Sequence, residues 1–200
     1  MGHKTFDVSR AARLDDPERL RWMPVDLAAK MLGLTQGMHI ADVGAGTGYF
    51  AAPFARVAGP QGKVWAVDMQ PGILEILRGK LAQPGAPGNI EARAGTASAT
   101  GLPGASCDLA FFANVWHELE DPRAALQEAA RILKPGGRLA ILDWRPDVER
   151  PPGPPLDHRI AASAVQASLV TAGWRDVETR AFSKYSYLIT AQVQRNAENS

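Results

Sequence analysis

The sequence predicts an α/β protein built on a doubly wound, largely parallel sheet that closes with an antiparallel hairpin. Strand-like apolar runs alternate with amphipathic helical segments along most of the 200 residues. A glycine-rich turn at 44–48 follows the first of these strands. The last two strand-like segments, 174–182 and 184–194, are joined too tightly for a crossover helix, so we expect them to pair antiparallel.

Two short helices are predicted ahead of the sheet. Asp16 and Pro17 have the character of an N-cap followed by proline at the first helical position, which predicts a short helix through Trp22. Pro24 opens a second helix. Its apolar residues recur at helical spacing: Leu27, Met31 and Leu34.

The first half of the sheet is predicted to begin with a strand, a glycine turn, a helix and a second strand. The strands are 38–43 and 63–67, and the helix is 50–58. Such a unit holds a nucleoside ligand at the carboxyl end of a parallel sheet. The glycines at 44–48 allow close backbone approach. Asp68, directly after the second strand, can accept hydrogen bonds from both ribose hydroxyls.

The remaining elements continue the alternation. In chain order they are a helix from Pro71, strand 90–94, strand 107–114, a helix from Asp121 that ends at 134–137, strand 138–143 and helix 158–172. The third of these is a continuous apolar run, as a central parallel strand should be. The segment 145–155 contains five prolines, and we expect it to be a mobile loop.

Composition limits the classes of partner. The chain is 46% hydrophobic and 22% charged with a net charge of +1, so we expect no nucleic-acid partner. Cys107 is the single cysteine, which excludes an internal disulfide and fits a cytoplasmic location. No signal peptide or membrane span is predicted. The four histidines lack metal-ligand spacing, so no metal is expected.

Several motifs in order resemble class I S-adenosylmethionine-dependent methyltransferases. They are ADVGAGTG at 41–48, AVD at 66–68, CDLAFFANVWHELEDP at 107–122 and LKPGGRLAILD at 133–143. The resemblance covers roughly 24–194 and is nearest to small-molecule enzymes of the quinone-biosynthesis and arsenite-methylating type. Arsenite chemistry needs several cysteines, which this chain lacks.

The resemblance implies a seven-stranded Rossmann-like sheet of order 3-2-1-4-5-7-6 with strand 7 antiparallel, and S-adenosylmethionine as cofactor. It implies that Asp68 holds the ribose and Met69 packs on adenine. Thr96 stands where many relatives have an acid. The expected cofactor-binding residues are Asp42, Gly44, Ala45, Gly46, Gly48, Asp68, Met69, Gly95, Thr96, Ala97, Asn114 and Val115.

The sequence offers only weak candidates for catalysis, because transfer of an activated methyl group mainly needs positioning and exclusion of water. His117 can act as a base, although it can equally pack against the following turn. Asp143 can touch substrate or cap the loop after its strand. The Tyr185 phenol is a third candidate.

Other side chains near the expected site have competing interpretations. Trp116 and Trp144 are either an aromatic wall or core, and Glu118 and Glu120 are expected in solvent. Four residues precede the sheet in a segment that can cover the cleft: Phe6, Arg13, Arg19 and Trp22. The two arginines among them are expected on the helix surface.

The sequence predicts residues 1–23 as a helical segment over the cleft and 24–200 as a single domain. The predicted function is in-line methyl transfer to a small-molecule acceptor, by a monomer or homodimer. One alternative is a non-catalytic S-adenosylmethionine-binding protein. The other is a nicotinamide-dependent oxidoreductase, against which the segment at 134–137 and the closing hairpin argue. The predicted lid consists of the N-terminal segment and the loop 145–155.

Overall fold

A computed structural model describes residue 11 and residues 14–148 and 153–193. These form one seven-stranded sheet of β1 (His39–Val43), β2 (Lys63–Asp68), β3 (Ile90–Ala94), β4 (Cys107–Ala113), β5 (Leu133–Trp144), β6 (Trp174–Ala181) and β7 (Ser186–Val193). The spatial order is β3-β2-β1-β4-β5-β7-β6, and β7 alone runs antiparallel to its neighbours. The predicted fold class, strand order and hairpin are confirmed.

Helices cover both faces of this sheet. They are α1 (Arg19–Trp22), α2 (Val25–Met31), α3 (Ala51–Ala58), α4 (Pro71–Leu81), α5 (Pro122–Ile132) and α6 (Ala162–Thr171). The helices α2, α3 and α4 pack on one face, while α5 and α6 pack on the other. This arrangement places every βα loop of the parallel strands at one edge, which we call the carboxyl edge.

The central strands β1 and β4 are mostly apolar because both of their faces are buried. In β1, Ile40 belongs to the core on the α3 face and Ala41 to the core on the α5 face. In β4, Phe111 belongs to the core on the α3 face and Phe112 to the core on the α5 face. Each pair follows the alternation of side chains along a strand. Two cores of similar size therefore hold the carboxyl edge rigidly.

Two predicted boundaries are wrong. The helix expected from residue 158 begins at Ala162, because Leu156–His158 is a separate 3-10 turn and Arg159 is extended. The strand expected at 138–143 begins at Leu133, which pairs with Cys107 before a register shift.

The described part of the N-terminal segment contains α1 and ends in a buried residue. The Asp16 carboxylate accepts a hydrogen bond from the Glu18 backbone N–H at 2.9 Å. Met23, at the end of α1, is fully buried. Phe6 and Arg13 lie outside the described residues, as does 149–152 of the predicted loop.

Two further properties concern the described ranges. No helix within them combines the length and the apolar character that crossing a bilayer requires. No three of their histidine, cysteine, aspartate or glutamate side chains are grouped as a metal site needs.

The N-cap of α5 gives a test of the local structure. The Asp121 carboxylate accepts a hydrogen bond from the Ala124 N–H at 2.9 Å. We expect Asp121→Ala to lower the free energy of unfolding by about 1 kcal/mol, as loss of an N-cap does. Asp121→Asn keeps an acceptor and should lose much less. Denaturant titration measures both, and equal losses would contradict this assignment.

Candidate cofactor and acceptor site

The turn after β1 has a backbone that suits glycine. Gly46 and Gly48 have φ angles of 57° and 88°, a region that side chains with a Cβ rarely adopt. A Cβ on Gly48 would lie 2.7 Å from Leu77 of α4, and one on Gly46 would lie 3.3 Å from Leu14. The turn is therefore enclosed between α4 and the N-terminal segment.

Asp68 at the end of β2 fixes this turn. Its carboxylate accepts the Gly46 N–H at 2.9 Å and the Gln70 N–H at 3.0 Å. The side chain is almost buried, with the residue 9% exposed. A carboxylate has about four acceptor positions, so further hydrogen bonds from a ligand are sterically and chemically possible.

Asp42, at the carboxyl end of β1, is a buried carboxyl group with an unsatisfied oxygen. The residue is 1% exposed, and its Oδ2 accepts no hydrogen bond from the described residues. Burial, and then the charge of Asp68, raise the pKa of Asp42 to about 7 against the opposing effects of Arg19 and the Ala51 N–H.

A second unsatisfied acceptor lies at the end of β4. The Asn114 Oδ1 is buried and has no hydrogen-bond donor among the described residues. Asn114 also has a φ of 57°, which orients its side chain away from the usual strand direction. Its backbone N–H bonds to the Leu142 carbonyl at 2.8 Å, so this strained position is fixed by the sheet.

These groups fit S-adenosylmethionine. Buried oxygen atoms normally accept a hydrogen bond, but Asp42 Oδ2 and Asn114 Oδ1 accept none from the described residues. The cofactor carries an ammonium, two ribose hydroxyls and an adenine amine, all of them donors. The Asp42 carboxylate would pair with the ammonium, the Asn114 Oδ1 would accept from an amine, and the Asp68 carboxylate would accept from the ribose hydroxyls.

The N-terminal segment closes over the glycine turn through one carboxylate. The Asp15 side chain accepts the Thr47 hydroxyl at 2.8 Å and pairs with the Lys80 ammonium at 2.5 Å. Lys80 also donates to the Thr47 carbonyl at 3.0 Å. This latch, which sequence reasoning missed, joins three distant parts of the chain, so no local pattern could have indicated it.

The expectation that Arg19 lies on the surface is wrong. The residue is 8% exposed, and its guanidinium carbon lies 4.0 Å from the centre of the Tyr49 ring. Its Nη1 donates to the Leu14 carbonyl at 2.7 Å. Burial lowers the pKa of Arg19, although Tyr49, Asp15 and Asp42 oppose this effect. The four-residue α1 turns this side chain towards the glycine turn.

His117 and Asp143 form a buried hydrogen-bonded pair beside the end of β4. The His117 Nδ1 lies 2.8 Å from one oxygen of the Asp143 carboxylate. The other oxygen accepts the His117 backbone N–H at 3.0 Å. Asp143 also accepts the Trp144 N–H at 2.7 Å. Asp143 thus caps the following backbone, as one of its two sequence interpretations predicted, and it also orients the imidazole. Its contact with substrate stays a prediction.

The electrostatics of this pair favour a charged imidazole. Burial lowers the pKa of His117, but the hydrogen bond and charge of Asp143, with Glu118, raise it on balance. The Glu118 carboxylate lies 3.7 Å from His117 Nε2. Glu118 and Glu120 are exposed, as expected. Burial, and then the charges of Asp143 and Asp68, raise the pKa of Glu118 against the opposing charge of His117.

The third catalytic candidate lies apart from this pair. Tyr185 precedes β7, and its carbonyl accepts the Arg145 N–H at 2.9 Å. Within the described part of the chain, no hydrogen bond joins its hydroxyl to His117 or Asp143. Its role stays a prediction.

Trp116 and Trp144 are core residues, which is one of their two sequence interpretations. Trp116 belongs to the core on the α5 face, where its ring meets Phe112 edge-on at 5.8 Å. Trp144 belongs to the opposite core and packs on Trp22 at 5.2 Å. Successive strands place the two rings on opposite faces of the sheet.

The expected adenine contacts lie at the same edge. Met69 follows Asp68 and is 48% exposed, which suits a side chain that packs on a ligand ring. The Gly95 N–H bonds to the Asp68 carbonyl at 3.1 Å, and Thr96 forms a bridge with Ala99. The contacts of Met69 and Thr96 with adenine stay predictions. Ala45 lies in the segment that follows β1, Ala97 in the one that follows β3 and Val115 in the one that follows β4.

Fold and site together define an α/β domain with a candidate nucleoside-binding edge at the carboxyl ends of β1, β2 and β4. Comparison with known proteins narrows this class. Residues 41–141 match the model of the family described as "Methyltransferase domain".

Individual relatives agree with this match. The ubiquinone/menaquinone biosynthesis C-methyltransferase UbiE of Hahella chejuensis is 35% identical over 146 residues, which are 70% of this chain and 58% of that protein. Its counterpart in Edwardsiella ictaluri is 37% identical over 112 residues, 56% of this chain and 45% of the relative. This chain thus spans about half the length of these curated relatives.

A solved structure matches over nearly the whole length of both chains. The S-adenosylmethionine-dependent methyltransferase from Aquifex aeolicus is 33% identical and covers 95% of this chain and 100% of its own, with a TM-score of 0.89. The chain therefore belongs to the class I S-adenosylmethionine-dependent methyltransferases.

Replacing Asp68 tests the ribose contact. We expect Asp68→Ala to weaken S-adenosylhomocysteine binding at least about tenfold, or roughly 1.4 kcal/mol. The reason is the loss of charge-assisted hydrogen bonds, each worth about 1.5–3 kcal/mol. Asp68→Asn, which keeps one acceptor, should lose less. Calorimetry on folded variants measures this, and a smaller loss for alanine would remove Asp68 from the ribose site.

The raised pKa of Asp42 predicts opposite effects of Asp42→Asn on stability and on binding. A carboxyl whose pKa rises from about 3.9 when unfolded to about 7 when folded stabilises the fold while protonated. That contribution is lost as pH rises from about 4 through about 7, at a cost on the order of 4 kcal/mol.

We therefore expect Asp42→Asn to be more stable than the wild type above pH 7 without ligand, and similar near pH 4. The same variant should bind S-adenosylhomocysteine more weakly at the higher pH, because the ammonium loses its carboxylate partner. Thermal unfolding with and without the ligand measures both effects. A variant that is destabilised at high pH, or that binds normally, would refute this account.

Proposed function

We propose that this protein transfers a methyl group from S-adenosylmethionine to a carbon atom of a small-molecule acceptor, with His117 as the base that removes the acceptor's proton. The acceptor would lie at the cleft beside the ends of β4 and β5. We further propose that the protein acts in the cytoplasm as a monomer or homodimer, without nucleic acid.

The observation that carries this proposal is the hydrogen-bonded pair of His117 and Asp143. The Asp143 carboxylate accepts from the Nδ1 side of the ring at 2.8 Å. This fixes the neutral tautomer with hydrogen on Nδ1 and leaves Nε2 as the proton acceptor. The His117 side chain is 4% exposed, so the ring is held by its surroundings rather than free in solvent.

The proposed chemistry balances with these groups. The cofactor supplies a methyl group already activated by its sulfonium. An acceptor carbon that gains this methyl group must lose its hydrogen as a proton, and His117 Nε2 takes that proton. The nearby Asp143 and Glu118 carboxylates stabilise the imidazolium that forms, which agrees with the raised pKa of His117. The proton can then pass to solvent through the exposed Glu118.

The choice of carbon follows the printed names of the relatives, which are C-methyltransferases. Family membership argues against the nicotinamide-dependent alternative. A cofactor-binding protein without turnover is the remaining alternative. An activity screen distinguishes it, because such a protein would bind S-adenosylhomocysteine and transfer no methyl group to any acceptor.

The test uses S-adenosylmethionine with an isotope-labelled methyl group and a panel of electron-rich phenols and quinols. Nuclear magnetic resonance separates methyl groups on carbon from those on oxygen or nitrogen. We expect carbon-bound label. Label found only on oxygen or nitrogen would overturn the choice of carbon, and no label at all in a protein that binds the cofactor would favour the non-catalytic alternative.

With an acceptor in hand, we expect His117→Ala to lower kcat by about 100-fold or more, the usual size of general-base catalysis. Because the base must be neutral, activity should rise with pH through a pKa above about 6.5, that of free imidazole. Asp143→Asn should move this pKa downwards, since the carboxylate is the group that raises it.

His39→Gln is the matched control, because His39 begins β1 at the opposite edge of the sheet. It should leave kcat and the pH profile unchanged. Wild-type kcat in folded His117→Ala, with normal cofactor affinity, would remove His117 from the chemistry.

A further inference from the structure

A column of stacked rings and guanidinium groups crosses the carboxyl edge. The Arg19 guanidinium lies 4.0 Å from the Tyr49 ring centre and 5.8 Å from that of Trp22. Trp22 and Trp144 lie 5.2 Å apart at an interplanar angle of 37°. Arg159 completes the column, 5.3 Å from the Trp144 ring. Each separation is within the range of attractive ring–ring or cation–ring contacts.

The first end of this column touches the cofactor turn. Tyr49 directly follows Gly48, and its hydroxyl donates to the Met23 carbonyl at 2.8 Å. Arg19 donates to the Leu14 carbonyl at 2.7 Å, and a Cβ on Gly46 would lie 3.3 Å from the Leu14 side chain. Arg19 is thus joined to the glycine turn through Leu14 as well as through Tyr49.

The other end holds the acceptor-side loop, by which we mean residues 145–148 and 153–159. Arg159 donates to the Arg145 carbonyl at 3.0 Å and to the Pro154 carbonyl at 3.0 and 2.7 Å. It thereby ties the two described ends of the loop together. A Cβ on Gly153 would lie 2.8 Å from the Trp144 ring, so the loop backbone rests directly on the column.

The buried members of the column have little freedom to rearrange independently. Arg19, Trp144 and Arg159 are 8%, 4% and 7% exposed. Arginine is seldom buried to this extent unless its position is specified by its partners. Among the described residues, Trp22 is the ring that contacts both Arg19 and Trp144, so a displacement of one can reach the other through it.

We propose that this column couples the cofactor turn to the acceptor-side loop, and that Trp22 is the positioning residue through which the coupling passes. Cofactor bound at the glycine turn fixes Arg19 and Trp22, and Trp22 in turn fixes Trp144 and the loop that Arg159 holds. Only the identity of this loop as the acceptor side rests on the proposed function. The coupling itself concerns two described parts of the chain.

Hydrogen exchange of the full chain, with and without saturating S-adenosylhomocysteine, tests the coupling. In the wild type we expect the ligand to slow exchange in residues 153–159 as well as around the glycine turn. In Trp22→Leu the slowing should persist at the glycine turn and disappear from 153–159. Trp22→Phe keeps an aromatic ring and should restore it.

Leu20→Ala is the control within the same helix, because Leu20 is 55% exposed and faces away from the column. It should behave as the wild type does. Equal slowing of 153–159 in Trp22→Leu and the wild type would overturn the proposal. So would a wild type in which the saturating ligand leaves 153–159 unchanged.

The far end of the column gives an independent measurement, because coupling between two sites is reciprocal. We expect Arg159→Met to weaken S-adenosylhomocysteine binding about fivefold or more, the usual size of such coupling. Arg145→Met is the matched control, since the Arg145 side chain is partly exposed and pairs with Asp147. Equal affinities in the two variants would refute the coupling, even if Trp22→Leu fails to fold.

Neither measurement needs an acceptor or methyl transfer. If the proposed carbon methylation fails, the exchange and affinity results still decide the coupling. If the coupling fails, the role of His117 and Asp143 is unaffected.

Discussion

The hydrogen bond from the Gly46 N–H to the Asp68 carboxylate is the contact on which the cofactor site depends. It joins the turn after β1 to the end of β2 at 2.9 Å. The turn can be this tight because glycine accepts its backbone angles. With the turn fixed, one oxygen of the buried Asp42 carboxyl and the Asn114 amide oxygen lie at this edge without a donor among the described residues. The fold thus leaves acceptors in place for a ligand that brings donors.

The charge distribution of the edge explains why that ligand is a cation. Asp42 is held at a raised pKa by burial and by Asp68. The pKa of Glu118 is raised by partial burial and by the charges of nearby carboxylates, including Asp68. Each of these groups is stabilised in its charged form when a positive ligand arrives, since an opposite charge offsets desolvation. Binding a sulfonium cofactor therefore relieves an electrostatic cost that the fold carries without it.

The sequence predicted the features that follow from local patterns. The β-α alternation, the glycine turn and Asp68 are encoded in runs of a few residues, and the structure shows the sheet order that the resemblance implied. The predicted ends of helices and strands were wrong where side chains distant in sequence determine them. Arg159 stays extended because its guanidinium binds two loop carbonyls, so α6 begins at Ala162 instead of residue 158. The contacts of the site residues with cofactor and acceptor remain predictions.

The error about Arg19 has a physical cause that lies outside the N-terminal segment. A short helix with two arginines resembles a solvated surface helix, because propensity and periodicity describe only its own residues. Its true environment is made by Tyr49 and Trp144, which are distant from it in sequence. A segment that packs both on the glycine turn and on the end of β5 cannot change its contact with one without changing its contact with the other. Its burial is therefore explained by contacts that no pattern within the segment encodes.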